Sequence, residues 1–131
     1  MRASRYWPIE YQEVREETGR SPQAGLIRDR EGERLLARVG GQAHLVACDA
    51  TGGQMSSAEF AAWLQRERVQ SVRDIAFVIG GAFGLASGVQ EAAATRLSFS
   101  PWTLSHEIAR LVLAEQLYRA GTIVRGEPYH K

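Results

Sequence analysis

The chain has 131 residues, of which 44% are hydrophobic and 24% charged, with a net charge of +1. That length suits a single domain, residues 1–131, with one core, and the composition excludes disordered, collagenous and membrane classes. A charge so close to zero also argues against a free-standing nucleic-acid binder held by bulk electrostatics, which would carry a marked basic excess.

The polar start MRASRYWP has no signal-peptide core, and no apolar run approaches the roughly 18–20 residues of a bilayer span. No membrane association is expected. Cys48 is the single cysteine, so no internal disulfide can form and a reducing cytoplasm is the expected compartment. The 16 basic residues are arginines apart from Lys131. Arginine's planar fork suits phosphate contacts and base stacking, although a GC-rich genome produces the same bias.

Ile9 to Val14 alternates apolar and polar residues and predicts a short edge strand. From Gln23 to Val39 the apolar Leu26, Ile27, Leu35, Leu36 and Val39 are set among charges, as on a solvated helix. The run AHLVAC, Ala43 to Cys48, lies between Gly40-Gly41 and Gly52-Gly53 and predicts a buried strand. Ser56 and Glu59 form a capping box, and Phe60, Trp63 and Leu64 make the apolar stripe of the helix it opens.

The alternation continues with a strand at Ile75 to Ile79, a glycine loop, a helix from Leu85 to Ala94 and a short strand from Leu97 to Ser100. A last helix runs from Ser105 to Ile123. The expected fold is α/β, a mostly parallel sheet with helices on both faces. The last helix has almost no purely polar face, because Ile108, Leu111, Val112, Leu113, Leu117 and Tyr118 surround it. A second subunit is the expected cover, and a two-fold homodimer the commonest way to supply it.

Open α/β sheets bind ligands beyond the carboxyl ends of their strands, here the segments after Cys48, Ile79 and Phe99. These are DATGG, GGAFG (Gly80 to Gly84) and SPWTLSH. GGAFG fits a plain tight turn as well as a cofactor loop, since it matches neither GxGxxG nor a P-loop. Trp102 offers either an aromatic wall beside backbone donors or a core anchor for a turn. His106 opens the last helix with Arg110 one turn later; a capping histidine and a surface arginine are the plainer reading. The tail RGEPYHK carries Tyr129 and His130 after Pro128 and is too short to pack by itself. There is no GxSxG, HExxH or cysteine pair, and His44, His106 and His130 are scattered, so no metal site is expected.

FVIGGAFGL followed by LSFSPWTLSHEIARLVLAEQLYRAGTIVRGEPYHK resembles the C-terminal half of the ribosomal RNA large subunit methyltransferase H family. The signatures IGG-x-x-G, L-S-x-S, T-x-x-H, R-x-x-L-x-E-Q-x-Y-R-A and P-Y-H occur in the family's order, and a fainter likeness extends upstream through EGERLLARV. That family belongs to the SPOUT class and methylates N3 of pseudouridine 1915 in 23S ribosomal RNA. The resemblance implies a C-terminal trefoil knot, a rare exception to the rule against threaded chains.

It also implies an S-adenosylmethionine site formed by Cys48, Gly80, Phe99, Ser100, Pro101, Trp102, Thr103 and Leu104. Family members often carry Leu or Ile in place of Cys48, a change that a mostly backbone and apolar contact tolerates. Tyr129 and His130 would complete the site of this or the partner subunit, with His130 as proton acceptor, while Arg110 and Arg119 would orient RNA or the dimer. The implied substrate is the assembled ribosome, through its 23S RNA. In one respect the chain departs from the family pattern: it begins near the end of the usual first helix, without the V-G-K-like strand before it. A misplaced start codon would explain this, as would a shortened, catalytically silent ribosome-binding protein. A small α/β module for another nucleotide is the remaining alternative.

Overall fold

A computed structural model describes residues 2–10, 24–39, 41–70, 74–80 and 84–128. A 3-10 turn, Arg2–Arg5, is followed by helix α1 (Ala24–Val39), strand β1 (His44–Gln54), helix α2 (Ser57–Gln70) and strand β2 (Ile75–Ile79). Helix α3 (Ser87–Ala92), strand β3 (Thr95–Ser98) and helix α4 (His106–Arg125) complete the order. Among the described residues every strand pairing is parallel, and β1 lies in the centre of the order β2-β1-β3.

Period-two geometry sends alternate β1 side chains to opposite faces of the sheet. Val46 and Cys48 pack with Phe60 and Leu64 of α2 and Leu113 and Ala120 of α4. Leu45 and Ala47 pack on the other face with Val78, Val89 and, from α1, Leu35 and Leu36. A strand covered on both faces must be apolar throughout, which is why AHLVAC reads as an unbroken run. The α/β architecture with helices on both faces is as the sequence predicts. Among the described residues no helix is long and apolar enough to cross a membrane.

The element boundaries depart from expectation at four places, each for a local reason. First, β1 does not stop at Cys48 but continues to Gln54. Cys48 and Gly53 both pair with Leu97, so Asp49 to Gly52 form a bulge within the strand. The Asp49 carboxylate accepts from the Thr51 amide at 3.2 Å, and Arg96 Nη2 donates to Thr51 Oγ1 at 2.6 Å. At Gly52 an added Cβ would lie 2.8 Å from the Arg96 backbone, so only glycine lets the bulge close.

Second, α3 has six residues instead of the expected run from Leu85 to Ala94, and β3 starts at Thr95 instead of Leu97. The Ala94 amide donates to Leu45 O at 2.9 Å, drawing an alanine-rich segment with good helix propensity into the sheet. Third, α4 runs two residues past Ile123, closed by Gly126 at φ 66° with Glu127 N donating to Thr122 O at 2.8 Å. Fourth, Ile9 and Glu10 belong to no strand, and the remainder of the predicted edge strand lies outside the described residues, as does Gln23. The capping box forms as expected: Glu59 Oε1 accepts from Ser56 N at 2.9 Å, and Ser56 Oγ from Glu59 N at 3.1 Å. The bond from the Ser56 amide, with the Ser56 hydroxyl beside it, holds the Glu59 carboxyl below its usual range.

Part of the cover on α4 comes from the chain itself. Trp7 Nε1 donates to Leu117 O at 2.8 Å, Tyr6 OH donates to Glu127 Oε2 at 2.6 Å, and the Tyr6 ring meets Tyr118 edge-on at 5.5 Å. Arg2, Arg68 and Arg125 lie over the rings of Tyr118, Trp7 and Tyr6, so some of the arginine bias serves packing. Gly121 gives Tyr6 its seat: a Cβ there would overlap the ring. In an unobstructed helix Gly→Ala stabilises by about 1 kcal/mol, whereas overpacking costs about 1–3 kcal/mol. Gly121→Ala is therefore expected to lower the melting temperature, which calorimetry checks; a raised melting temperature would show that Tyr6 does not hold this position.

Candidate functional site

The bulge of β1, at Cys48 to Ala50, and the carboxyl ends of β2 and β3 open into a cavity of about 360 Å³, closed on one side by the first turn of α4. Its position follows from the parallel topology, because all three strands release their chains on the same edge. Seven of the eight residues expected to hold a cofactor line it: Cys48, Gly80, Phe99, Ser100, Trp102, Thr103 and Leu104. Pro101 shapes the same turn but is not among the lining residues.

Burial pushes the Cys48 thiol up to about 12, so it is neutral at physiological pH and contributes an apolar wall with no nucleophilic character. At Gly80 an added Cβ would come within 2.5 Å of the Gly84 backbone, and Gly84 adopts φ 80°. Glycine is thus required at both ends of the GGAFG loop, and the backbone itself forms the cavity rim there. Residues 81–83 of that loop lie outside the described residues.

The third segment is held by hydroxyls. Ser98, buried, donates from Oγ to Ser100 O at 2.8 Å, and Ser100 Oγ accepts from the Trp102 amide at 3.0 Å. This pair of bonds turns the chain after β3 and presents Trp102, which is 79% exposed, at the cavity mouth instead of in the core. Ser105 caps α4, accepting from Ile108 N at 3.3 Å, and His106 follows on the cavity wall. The cap is therefore the serine, and His106 is one of the residues lining the cavity.

Other candidate residues lie elsewhere. Arg110 is exposed one turn beyond His106, and Arg119 pairs with Glu115 at 3.1 Å, about 14 Å further along the helix axis. A single chain does not bring the two together. His44 begins β1 at the opposite end of the sheet, with Nε2 2.9 Å from Thr95 Oγ1 and Nδ1 3.6 Å from Glu67. Tyr129 and His130 lie outside the described residues. The cavity also takes in Asp49, Ile79 and Ala109, which the sequence reading did not select. Asp49 had a usable signal, being the first charged residue after an apolar strand at the sheet's ligand-binding edge.

The family model described as "Predicted SPOUT methyltransferase" matches residues 1–130. The chain belongs to the SPOUT methyltransferases, in the ribosomal RNA large subunit methyltransferase H family. It is 60% identical over 130 residues to Ribosomal RNA large subunit methyltransferase H of Gemmatimonas aurantiaca, covering 99% of this chain and 84% of that protein. It is 43% identical over 129 residues to the protein of the same name from Syntrophotalea carbinolica, covering 98% and 83%. For the Listeria monocytogenes protein the figures are 47% over 105 residues, 80% of this chain and 66% of that protein.

As a SPOUT methyltransferase the chain is an enzyme that moves a methyl group from a donor, and the strand-end cavity is the candidate donor site. A neutral, buried Cys48 is consistent with a wall residue in such an enzyme and not with covalent catalysis. Ellman's reagent at pH 8 is expected to leave the native protein unmodified and to titrate one thiol after unfolding in guanidinium. Rapid reaction of the native protein would contradict the burial.

Proposed function

We propose that this methyltransferase uses S-adenosylmethionine to methylate N3 of pseudouridine 1915 in 23S ribosomal RNA, acting on the assembled ribosome in the cytoplasm as a homodimer. The observation that carries the donor assignment is the convergence of Cys48, Gly80 and the Phe99-to-Leu104 segment on one cavity. The substrate assignment is supported by the names of the relatives at 60% and 43% identity.

The residues present suit the donor. Gly80 leaves a backbone rim free of side chain, Ser100 and Thr103 add hydroxyls, and Phe99, Leu104 and Trp102 give apolar and aromatic surface. Pro101 stiffens the turn between them. When bound, S-adenosylmethionine supplies an electrophilic methyl group. The chain's own contribution is then to exclude water, align the acceptor nitrogen with that methyl, and accept the N3 proton. Tyr129 and His130 are the proposed tail residues at the acceptor, with His130 taking the proton, and Arg110 and Arg119 are proposed to orient RNA or the subunits.

The dimer is supported by the apolar surface at the start of α4. Trp102 is 79% exposed, Leu111 65% and Ile108 49%, and Ile108 and Leu111 share a helix face. The Arg2–Arg5 turn and Trp7 cover the opposite end of the helix. A two-fold contact through the exposed end would bury these side chains and bring one tail to the partner's cavity. The family resemblance also carries the knotted threading of the C-terminal segment.

The test is incubation with methyl-labelled S-adenosylmethionine and ribosomes lacking the modification, followed by mapping of the label. Label confined to the one pseudouridine is expected; label elsewhere, or none, would contradict the assignment. His130→Ala is expected to lower turnover at least tenfold with donor affinity nearly unchanged, whereas undiminished turnover would remove His130 from the mechanism.

A further inference from the structure

A second cavity, of about 300 Å³, opens between the first turn of α2, the end of β3 and the middle of α4. Phe60, Phe99, Met55 and Leu113 form much of its apolar wall, and Ser57 and Gln116 supply polar groups. Phe99 also lines the strand-end cavity, so the two spaces adjoin across one side chain. Aromatic and apolar walls with a few placed polar groups are what an extruded base requires.

The existing hydrogen bonds of Gln116 determine what it can still offer. Its Nε2 donates to Glu115 Oε2 at 2.7 Å, and its Oε1 accepts from Ser57 Oγ at 2.6 Å. An ionised carboxylate only accepts, so Glu115 decides which end of the amide is nitrogen. Arg119 holds the other oxygen of Glu115 at 3.1 Å. An amide has two N–H groups and two acceptor lone pairs, and here one of each is taken. One donor and one acceptor remain on the same amide group. Their complement is an N–H adjacent to a C=O.

We propose that this cavity receives the acceptor base, with Gln116 pairing to the N1–H and C2=O edge of pseudouridine and N3 turned toward Phe99, where the cavities meet. This rests on the methyltransferase reading above and adds the residue that distinguishes the base. In uridine attached through the same ribose, C5–H stands where pseudouridine has N1–H, and C4=O stands where it has C2=O. Uridine therefore satisfies the Nε2 donor but leaves Oε1 facing a C–H. In the transfer, the N3–C bond forms as the sulfonium S–CH₃ bond breaks. Sulfur becomes a neutral thioether and the N3 proton passes to His130. Glu115 and Arg119 are positioning residues, acting through the amide they orient.

The test compares kcat/KM on ribosomes carrying pseudouridine or uridine at the target position, for wild type, Gln116→Met and Glu115→Gln. One neutral hydrogen bond is worth roughly tenfold. Wild type is thus expected to prefer pseudouridine by about tenfold. Gln116→Met keeps the volume but removes both bonds, lowering pseudouridine activity about 100-fold and uridine activity about tenfold, so that the preference disappears. Glu115→Gln retains Gln116 but lets its amide flip, and is expected to erode the preference in part. Unchanged S-adenosylmethionine affinity by calorimetry shows that each variant is folded and separates this effect from damage to the donor site. A wild type without preference, or a preference that survives in both variants, overturns the proposal. A wild type that methylates neither ribosome overturns it together with the methyltransferase reading.

Discussion

The two-sided burial of β1 is the constraint on which the rest of the structure depends. Val46 and Ala47 have no exposed surface, and they face opposite layers, α2 and α4 on one side and α1 and α3 on the other. Slipping the strand by one residue would exchange its two faces, presenting each layer with the side chains shaped for the other. Its register against β2 and β3 is therefore strongly determined, and so is the level at which all three chains leave the sheet. The strand-end cavity exists because those exits coincide.

From that edge, function follows through small residues and hydroxyls more than through charged groups. Gly80 and Gly84 bring backbone to the rim, and the Ser98 and Ser100 hydroxyls fold the chain so that Trp102 stands outward. The single thiol at the site is kept neutral by burial. Such a site binds and aligns, which suits transfer of a methyl group whose reactivity resides in its donor. The charged residues of α4 lie beyond it: Arg119 is tied to Glu115, and Glu115 to Gln116, a chain of contacts that reaches the adjoining cavity.

Much of this was legible in the sequence. AHLVAC, the Ser56–Glu59 capping box and IAFVI located the core strands and α2 because burial and capping leave local patterns. Family signatures then picked seven residues that the fold gathers around one cavity, although they come from three separate segments. What could not be read depended on partners distant in sequence. The bulge at Asp49 to Gly52 is held by Arg96, and the early end of α3 by the bond from Ala94 to Leu45. The covering of α4 by Tyr6 and Trp7 joins residues more than 100 positions apart. In contrast, the α4 stop at Gly126 carries a local signal, since glycine just past a helix is its commonest terminator.

The central claim is that the strand-end cavity holds the methyl donor, and calorimetric titration with S-adenosylmethionine tests it most directly. One site per chain is expected in wild type, and affinity weakened at least tenfold in Gly80→Val, whose side chain would fall on the Gly84 backbone, with the far-ultraviolet circular dichroism unchanged. No binding to wild type, or equal affinity in the variant, would contradict it.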